Sequence, residues 1–486
     1  MGQGGWLSLI NATPYTWHRG YFHSYSMATW DFPTTVSPGE LAQVYVERHE
    51  NGPYPAAEVN YTVTDSQTSA IQLQYRMLND RTATSNVQFE TIHTMSTPEK
   101  RSISIGFSHN IATPFVLAGD SDSFVSNDVP VDWMHRSLGF LGCLPLRQIC
   151  IPGTHDSGMS KLDGKTAFSD QENTVTQKLD VGQQLRHGAR YFDIRPVKAA
   201  GRFKTGHYSG NDFDLGSLDG GFLGWLDDQF DDRFGGNGQS IDEVISQVND
   251  FTKSNKELII LRLSHAYDTD DGYKDLSQGQ WDDLLKQMSK INYLFQAKTN
   301  QDLTRLPLAA FIADSASVVV IVDNDKDVDL KGYAGKGFFK RSQFEIFDSF
   351  ADTDDQNRMI DDQLGKLRNE RKDPDSKFFL LSWTLTQQAG SSLGVPGRGI
   401  MAMADQVFPR MFERNTVWRA LSKKTYPNVI MVDSLSPDSR LRAFALAINR
   451  YFAPTVKGLG SCKASLEKKA WKRDENSWVG WLARLI

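Results

Sequence analysis

The sequence predicts an α/β barrel preceded by a small all-β domain. The chain has 486 residues, about three times the size of a typical domain, so more than one domain is expected. In residues 41–107, apolar and polar side chains alternate with a period of two, which is typical of half-buried strands. After Trp133, short apolar runs alternate with helical patterns over about 320 residues. This alternation favours a closed (β/α) barrel over a doubly wound sheet.

The composition excludes several classes of protein. Hydrophobic residues make up 40% of the chain and charged residues 23%, values that are typical of globular proteins and not of disordered or collagen-like chains. The net charge of -6 and the pI of about 6.0 give no basic surface for phosphate backbones, so nucleic acid is not an expected partner. The three cysteines include no Cys-x-x-Cys pair, which argues against structural zinc.

The first part of the chain, residues 1–120, is predicted to be a β-sandwich domain. Apolar residues alternate with polar ones from Val59 to Val63 and again in residues 71–77. Side chains in such a pattern point alternately to a core and to solvent, as in antiparallel sheets. Residues 121–132 are rich in Ser and Asp and are predicted to be a linker.

Residues 133–455 are predicted to form the barrel. Short apolar runs in this part have the composition of buried parallel strands. The runs are 146–151, 191–194, 258–263, 318–322, 378–381 and 429–432. Helical patterns lie between several of them, at 241–252, 281–290, 357–371 and 407–422.

The motif IPGTHDS (residues 151–157) places His155 and Asp156 directly after the first apolar run. A parallel barrel carries its catalytic groups at the carboxyl ends of its strands. The motif alone does not decide the role of these residues, because Asp156 could equally cap a helix.

The motif YFDIR (residues 191–195) ends the second run. Strand alternation places Asp193 and Arg195 on one face. A guanidinium group there suits a phosphate oxygen, and an internal ion pair with Asp193 is an equal alternative. His207 follows twelve residues after Arg195, and a lone histidine of this kind is more often structural than catalytic.

Taken together, the two histidines and the arginine supply what metal-free cleavage of a phosphodiester requires. One imidazole can remove a proton from an attacking hydroxyl group, and the other can protonate the leaving oxygen. The arginine can balance charge on the phosphoryl oxygens.

These motifs resemble the X domain of phosphatidylinositol-specific phospholipase C. Their order and spacing are similar to those of the bacterial, metal-independent members, and the resemblance covers about residues 138–451. It implies an irregular TIM barrel. It also implies the catalytic residues His155, Asp156, Asp193, Arg195, His207 and Asp433.

The resemblance implies a role for most of these side chains. His155 would be the general base acting on the inositol 2-hydroxyl, and His207 would be the general acid. Arg195 would bind the phosphate, Asp156 would assist the acid, and Asp433 would orient the base. The reaction would release diacylglycerol and form a cyclic inositol phosphate.

No cofactor or metal is expected. In calcium-dependent relatives of the family, an asparagine follows the first histidine and an acidic residue stands where this chain has Arg195. The presence of Asp156 and Arg195 here predicts that a guanidinium charge takes the place of the ion.

The residues expected to bind the substrate headgroup are Asp348, Phe350 and His265. The first two resemble an Asp-x-Tyr element of the bacterial enzymes, with Phe350 keeping an aromatic face. Those enzymes carry an arginine after a middle strand, where this chain has Asp323 or Asn324. A structural role for His265 remains open.

The carboxyl-terminal residues 456–486 form a basic and amphipathic segment. Residues 463–473 carry five basic residues and one acidic residue, a net charge of +4, and Trp478 and Trp481 follow. This pattern suits an anionic membrane interface, and docking on the rest of the protein is an equal alternative. No signal peptide or transmembrane run is visible. The expected location is therefore the cytoplasm or a membrane surface.

The favoured function is a phosphatidylinositol-type phospholipase C that acts on phospholipid at a membrane surface. Two alternatives remain open: a phosphodiesterase for another substrate with a neighbouring hydroxyl group, which Asp323 permits, and a catalytically silent lipid-binding module. The silent module is disfavoured because the base, the acid, the arginine and the supporting carboxylates are all present.

Overall fold

The computed structural model describes residues 4–50, 54–63, 68, 70–78, 82–121, 123–166, 169–208, 235–324, 327–388 and 399–455. The predicted membrane-binding segment, residues 456–486, lies outside this part of the chain.

The amino-terminal part of the described chain consists of strands. They are β1 (Gly4–Ala12), β2 (Trp17–Tyr25), β3 (Met27–Trp30), β4 (Thr35–Val36), β5 (Leu41–Arg48), β6 (Ala56–Thr62), β7 (Ile71–Met77), β8 (Ala83–Phe89), β9 (Arg101–Ser104), β10 (Ala112–Ala118) and β11 (Val125–Ser126). One sheet has the order β11-β10-β1-β5-β3 and the other has the order β4-β2-β6-β7-β8-β9.

The two sheets pack against each other across one apolar core. Leu9 and Phe115 of the first sheet and Val59 and Leu73 of the second belong to this core. The alternating burial along β6 and β7 follows the period of two in the sequence. The expectation of a purely antiparallel arrangement is wrong at one pair, because β1 and β10 run parallel.

The segment predicted to be a linker contributes a strand instead. Residues of β11 pair with β10, and the buried side chain of Asn127 accepts a hydrogen bond from the backbone N–H of Val116 at 2.9 Å. Asn127 also donates to the carbonyl oxygen of Pro114 at 3.0 Å. These buried hydrogen bonds fix the segment in place, which its polar composition did not indicate.

The rest of the chain alternates strands and helices. The strands are β12 (Ile151–Thr154), β13 (Tyr191–Ile194), β14 (Pro196–Ala199), β15 (Arg202–Tyr208), β16 (Gly235–Ser240), β17 (Leu258–Leu263), β18 (Tyr267–Asp268), β19 (Lys274–Asp275), β20 (Ser317–Val322), β21 (Phe338–Lys340), β22 (Ile346–Phe347), β23 (Phe378–Trp383) and β24 (Val429–Val432). The helices are α1 (Trp133–Arg136), α2 (Leu138–Leu141), α3 (Gln171–Thr174), α4 (Val181–Arg186), α5 (Ile241–Thr252), α6 (Gln278–Met288), α7 (Ala309–Ile312), α8 (Gln356–Glu370), α9 (Ile400–Val407), α10 (Val417–Ala420) and α11 (Arg440–Tyr451). Short 3₁₀ turns occupy Leu146–Gln148, Leu303–Arg305, Lys331–Tyr333, Arg341–Gln343 and Phe408–Phe412.

Eight of these strands form a curled sheet in the order β21-β20-β17-β13-β12-β24-β23-β22. All of its pairs are parallel. The last strand of the chain, β24, pairs with the first, β12, so the sheet curls back on itself as in a barrel. Among the described residues β21 and β22 do not pair with each other. The closed barrel predicted from the sequence is therefore an open one, with a seam between β21 and β22.

The strand order brings the carboxyl ends of neighbouring strands together. The residues that directly follow the strands at this edge include His155, Arg195, Ser264, Asp323, Arg341, Asp348 and Asp433. His155, Arg195, Asp348 and Asp433, which the sequence singled out, thus share one edge of the sheet, as expected for parallel strands.

Two predicted elements differ from the structure. The apolar run 146–151 is a 3₁₀ turn that leads into β12 at Ile151, so only its last residue lies in the strand. The helical pattern 407–422 is interrupted, because α9 ends at Val407 and a 3₁₀ turn containing Pro409 follows. Proline has no backbone N–H to donate, which disfavours a continuous helix there.

The helices α5 and α6 begin at clear capping residues. The side chain of Ser240 accepts from the backbone N–H of Glu243, which reaches back to the N–H of Ser240. Ser277 and Gln280 form the same arrangement at the start of α6. Such caps contribute about 1 kcal/mol each.

No helix in the described part of the chain is both long and apolar enough to span a bilayer.

The first sheet of the amino-terminal part also packs against the barrel. Ile10 and Val116 belong to the same apolar core as Phe444 of α11. The side chain of Trp418, in α10, donates a hydrogen bond to the carbonyl oxygen of Gly39 at 2.8 Å. These contacts fix the amino-terminal sheets against the barrel.

Candidate active site

The turns after β12 and β24 bring the expected base and its partner together. Thr154 and Val432 are paired in the parallel register of these strands, and the backbone N–H of His155 donates to the carbonyl oxygen of Val432 at 3.1 Å. Nδ1 of His155 lies 2.8 Å from Oδ1 of Asp433. The register of the two strands therefore places the imidazole against the carboxylate.

A segment after α3 supports both turns. Gln177 donates through Nε2 to the carbonyl oxygens of His155 and Val432, at 2.8 and 3.1 Å. The hydroxyl group of Thr176 donates to the carbonyl oxygen of Asp156 at 3.1 Å. The backbone N–H of Ser434 donates to the carbonyl oxygen of Thr176 at 2.7 Å. These hydrogen bonds hold the turns in an otherwise unfavourable conformation.

That conformation is visible in the backbone angles. Asp156 has a φ of 41° and Ser434 a φ of 49°, both in the left-handed region that side chains other than glycine rarely adopt. His265, at the end of β17, has a φ of 50°. Such strain is commonly found at functional sites, and here it lies at the carboxyl ends of three strands.

Arg195 connects the expected catalytic groups. Its Nε lies 2.5 Å from Oδ1 of Asp156 and 3.1 Å from Oδ2 of Asp193. Its Nη2 lies 2.8 Å from Nε2 of His155. The internal ion pair with Asp193 that the sequence left open is therefore present, and the same guanidinium also contacts Asp156 and His155.

His207 comes from β15, which belongs to a separate sheet of order β16-β15-β14-β18-β19. Its Nδ1 lies 3.0 Å from the carbonyl oxygen of Thr174, so this nitrogen carries a proton. Its Nε2 lies 3.6 Å from Oδ2 of Asp156, the same distance that separates this oxygen from Nε2 of His155. The centres of the two imidazole rings are 6.4 Å apart. The two histidines thus converge on one carboxylate.

The charges around His155 favour its protonated form. Burial by itself would lower the pKa of His155, but the carboxylates of Asp156 and Asp433 outweigh this effect and raise the pKa to about 9. The hydrogen bond from Arg195 requires the neutral imidazole, because an arginine can only donate. The structure therefore shows the neutral form of His155, which can accept a proton. The neighbouring carboxylates stabilise the protonated form that would result.

Asp193 is held as a carboxylate. Burial by itself would raise the pKa of Asp193, but the guanidinium groups of Arg195 and Arg262 hold it well below its usual range. The hydroxyl group of Ser264 donates to Asp193 at 2.8 Å. Asp193 therefore provides a fixed negative charge that positions Arg195.

Within the described part of the chain, one group of side chains has ligand atoms close enough together to hold a metal ion: His155, Asp156 and Asp193. The guanidinium group of Arg195 contacts all three of them. A positive charge from the protein itself is therefore already in contact with these possible ligands.

The three residues expected to bind the headgroup lie in different surroundings. His265 is linked to the cluster, because its Nδ1 lies 3.0 Å from Oγ of Ser264. Asp348 pairs with Arg262 at 2.5 Å. Phe350 is 57% exposed, and within the described residues no ring contact joins it to the imidazoles.

Sequence reasoning missed Arg262 and Arg341, which both pair with Asp323 and Asp348. Arg262 had a usable signal, because it is the one charged residue in the otherwise apolar strand β17. Arg341 follows a strand of three residues and had no comparable signal.

No family model matches the sequence. The chain is 33% identical over 85 residues to the human protein "PI-PLC X domain-containing protein 1", and the alignment covers 13% of this chain and 26% of that protein. The chain resembles the X-domain family of phosphatidylinositol-specific phospholipase C. The resemblance predicted from the sequence is confirmed. The match spans about a quarter of the length of the human relative.

Solved structures of this type of phospholipase C also resemble the chain. The F249X mutant of the Staphylococcus aureus enzyme has a TM-score of 0.46 at 13% identity, covering 66% of this chain and 98% of the bacterial one. The Listeria monocytogenes enzyme has a TM-score of 0.38 at 14% identity, covering 63% and 95%.

Proposed function

We propose that this X-domain-like protein is a metal-independent phosphodiesterase that cleaves phosphatidylinositol-type lipids to diacylglycerol and a cyclic inositol phosphate. The observation that carries the proposal is the convergence of His155 and His207 on Asp156, with Arg195 in contact with the same carboxylate. Two imidazoles and one guanidinium group are the set that this reaction needs.

In the proposed reaction, Nε2 of His155 removes a proton from the inositol 2-hydroxyl group. The hydroxyl oxygen attacks phosphorus and forms the cyclic ester. Asp433 accepts a hydrogen bond from Nδ1 of His155, so the nitrogen that faces the substrate is the unprotonated one. The imidazolium that results is stabilised by Asp433 and Asp156, which explains the purpose of the two carboxylates.

His207 then acts as the general acid. Its protonated Nε2 gives a proton to the glycerol oxygen as the bond from that oxygen to phosphorus breaks, releasing diacylglycerol. The carbonyl oxygen of Thr174 accepts from Nδ1 and keeps Nε2 directed towards Asp156. Arg195, 18% exposed, donates to the phosphoryl oxygens and balances their growing charge.

The headgroup is proposed to contact Asp348, Phe350 and His265. The protein is proposed to bind its lipid substrate at a membrane surface. The proposal also includes the division into a β-sandwich domain (residues 1–120) and a barrel domain (residues 133–455). Residues 456–486, outside the described chain, remain the proposed membrane contact.

A second candidate is a phosphodiesterase for a different substrate with a hydroxyl group next to the phosphate. It is favoured by one observation, the ion pair of Asp323 with Arg262 at 2.7 Å, because Asp323 or Asn324 is expected to stand where the bacterial enzymes carry an arginine. The chemistry at phosphorus would be the same, and only the headgroup would differ.

Phosphorus NMR of mixed phospholipid vesicles tests these candidates. We expect a cyclic phosphate signal from phosphatidylinositol alone, and a loss of ~10²- to 10⁴-fold in rate for His155→Ala and for His207→Ala. His18→Ala, an exposed histidine on β2, serves as the control and should keep full activity. Turnover of other lipids only would favour the second candidate, and no turnover of any lipid would refute both.

A further inference from the structure

Four charged side chains form a closed ion-pair ring at the seam of the barrel. The ring consists of Arg262, Asp323, Arg341 and Asp348. Arg262 lies 2.7 Å from Asp323 and 2.5 Å from Asp348, and Arg341 lies 2.8 Å from Asp323 and 3.0 Å from Asp348. Each carboxylate thus contacts both guanidinium groups, and the four formal charges sum to zero.

The ring joins the strands on either side of the seam. Asp323 directly follows β20 and Arg341 directly follows β21, whereas Asp348 directly follows β22. Arg341 also donates to the carbonyl oxygen of Ile346 in β22, at 3.3 Å. Side chains therefore connect β21 and β22 where backbone hydrogen bonds between the two strands are absent from the described chain.

The ring also borders the catalytic cluster. The charge of Arg262 helps to keep the pKa of Asp193 low, and Asp193 in turn pairs with Arg195. Arg262 and Arg341 both donate to Oδ2 of Asp323, at 2.7 and 2.8 Å. Asp323 and Asp348 therefore lie on the side of the ring whose arginine, Arg262, influences Asp193.

We propose that Arg341 is a positioning residue for the headgroup side of this site. It holds Asp323 and Asp348 at a fixed separation across the seam. The proposal rests on the proposed function, because Asp348 is the residue expected to contact the headgroup. Without Arg341, two neighbouring carboxylates would share the single guanidinium group of Arg262, and their repulsion would displace Asp348. The arginine acts through these carboxylates and does not itself reach the phosphorus atom.

The test compares Arg341→Gln with the matched control Lys340→Gln. Lys340 is the preceding residue and pairs at 2.5 Å with Asp327, a residue outside the ring. On phosphatidylinositol in mixed micelles, we expect Arg341→Gln to raise KM about tenfold and to lower kcat less than about threefold, because one partner of a hydrogen-bonded charge set is lost. Arg341→Lys should recover part of the loss, and Lys340→Gln should match the wild type.

A purely structural role for Arg341 would give a different result. It would lower the melting temperature and the amount of active enzyme, which reduces kcat and leaves KM unchanged. Equal KM values for Arg341→Gln and the wild type, or an equal rise in KM for Lys340→Gln, would overturn the proposal.

Binding without turnover separates this proposal from the proposed function. Isothermal titration with myo-inositol 1-phosphate should show a Kd about tenfold higher for Arg341→Gln than for the wild type. A wild type that binds this compound more tightly than the variant but turns over no lipid would refute the proposed function and support the positioning role. Equal binding by the two proteins, or binding by neither, would overturn the positioning role.

Discussion

Arg195 donates a hydrogen bond through Nη2 to Nε2 of His155, 2.8 Å away. The cation that is proposed to bind phosphate is therefore in direct contact with the nitrogen that is proposed to accept a proton. When a phosphodiester enters, its oxygens can replace the imidazole as the acceptor for Arg195, which frees Nε2 for the attacking hydroxyl group.

The geometry of Arg195 predicts that Arg195→Lys is not a conservative change. A lysine ammonium group is a single point of charge and cannot contact Asp156, Asp193 and His155 together in the way that the planar guanidinium does. We expect kcat to fall by about 10²- to 10³-fold, the range for loss of one stabilising donor at a reacting oxygen. Steady-state kinetics would measure this, with circular dichroism as the folding control. Full activity in the variant would contradict the role given to Arg195.

Chelation of divalent ions should leave turnover unchanged. Arg195 contacts all three side chains of the described chain that lie close enough together to hold an ion, and its charge is proposed to serve in place of a metal. Activity on phosphatidylinositol should be equal with and without EGTA. Loss of turnover in EGTA that calcium restores would show that this expectation is wrong.

The pH dependence of kcat/KM should reveal the raised pKa of His155. The base must be unprotonated to act, so kcat/KM should rise with pH up to about 9. In Asp433→Asn one of the two carboxylates that raise the pKa is lost, and the rising limb should move to lower pH. A limb at the same pH in both proteins would argue against Asp433 as the partner of the base.

The stability of the protein should also depend on His155. A folded-state pKa above the unfolded value gives stabilisation that is fully present below about pH 6.5 and is lost as the pH rises through about 9. The difference in unfolding free energy between the wild type and His155→Ala should therefore decrease over this range. Urea unfolding at several pH values would measure it, and a constant difference would contradict the assignment.

The contribution of Asp193 to stability should depend on pH in the opposite direction. Its pKa is lowered in the folded state, so its contribution to stability is present above the unfolded pKa of about 4 and is lost as the pH falls towards the lower folded value. The wild type should lose stability relative to Asp193→Asn as the pH falls below about 4. Urea unfolding of both proteins at several pH values would measure this, and a difference that stays the same below pH 4 would contradict the lowered pKa of Asp193.

Much of the site could be predicted because parallel strands align their carboxyl ends. The apolar runs that became β13, β17 and β24 have the predicted bounds, so the residues that follow them had to meet at one edge. His207 was harder to place, because it lies on a separate small sheet and no pattern in the sequence indicates that its strand returns to this edge.

Other features depended on long-range contacts that local patterns do not contain. The run 146–151 was predicted to be a strand, but its first three residues form a 3₁₀ turn. The turn is joined to a distant segment, since the N–H of Leu146 donates to the carbonyl oxygen of Leu306. The seam and the ion-pair ring likewise depend on which strand ends meet in space, and Arg341 lies in no periodic pattern.

Residues 174–177 hold both of the imidazoles of the candidate site in place. Thr174 fixes the ring of His207, Thr176 holds the turn that carries Asp156, and Gln177 holds the turn that carries His155. One stretch of four residues thus supports both of the imidazoles that are proposed to transfer protons. A shift of this stretch would displace both of the proposed proton-transfer residues together, so it would abolish the proposed reaction in a single step.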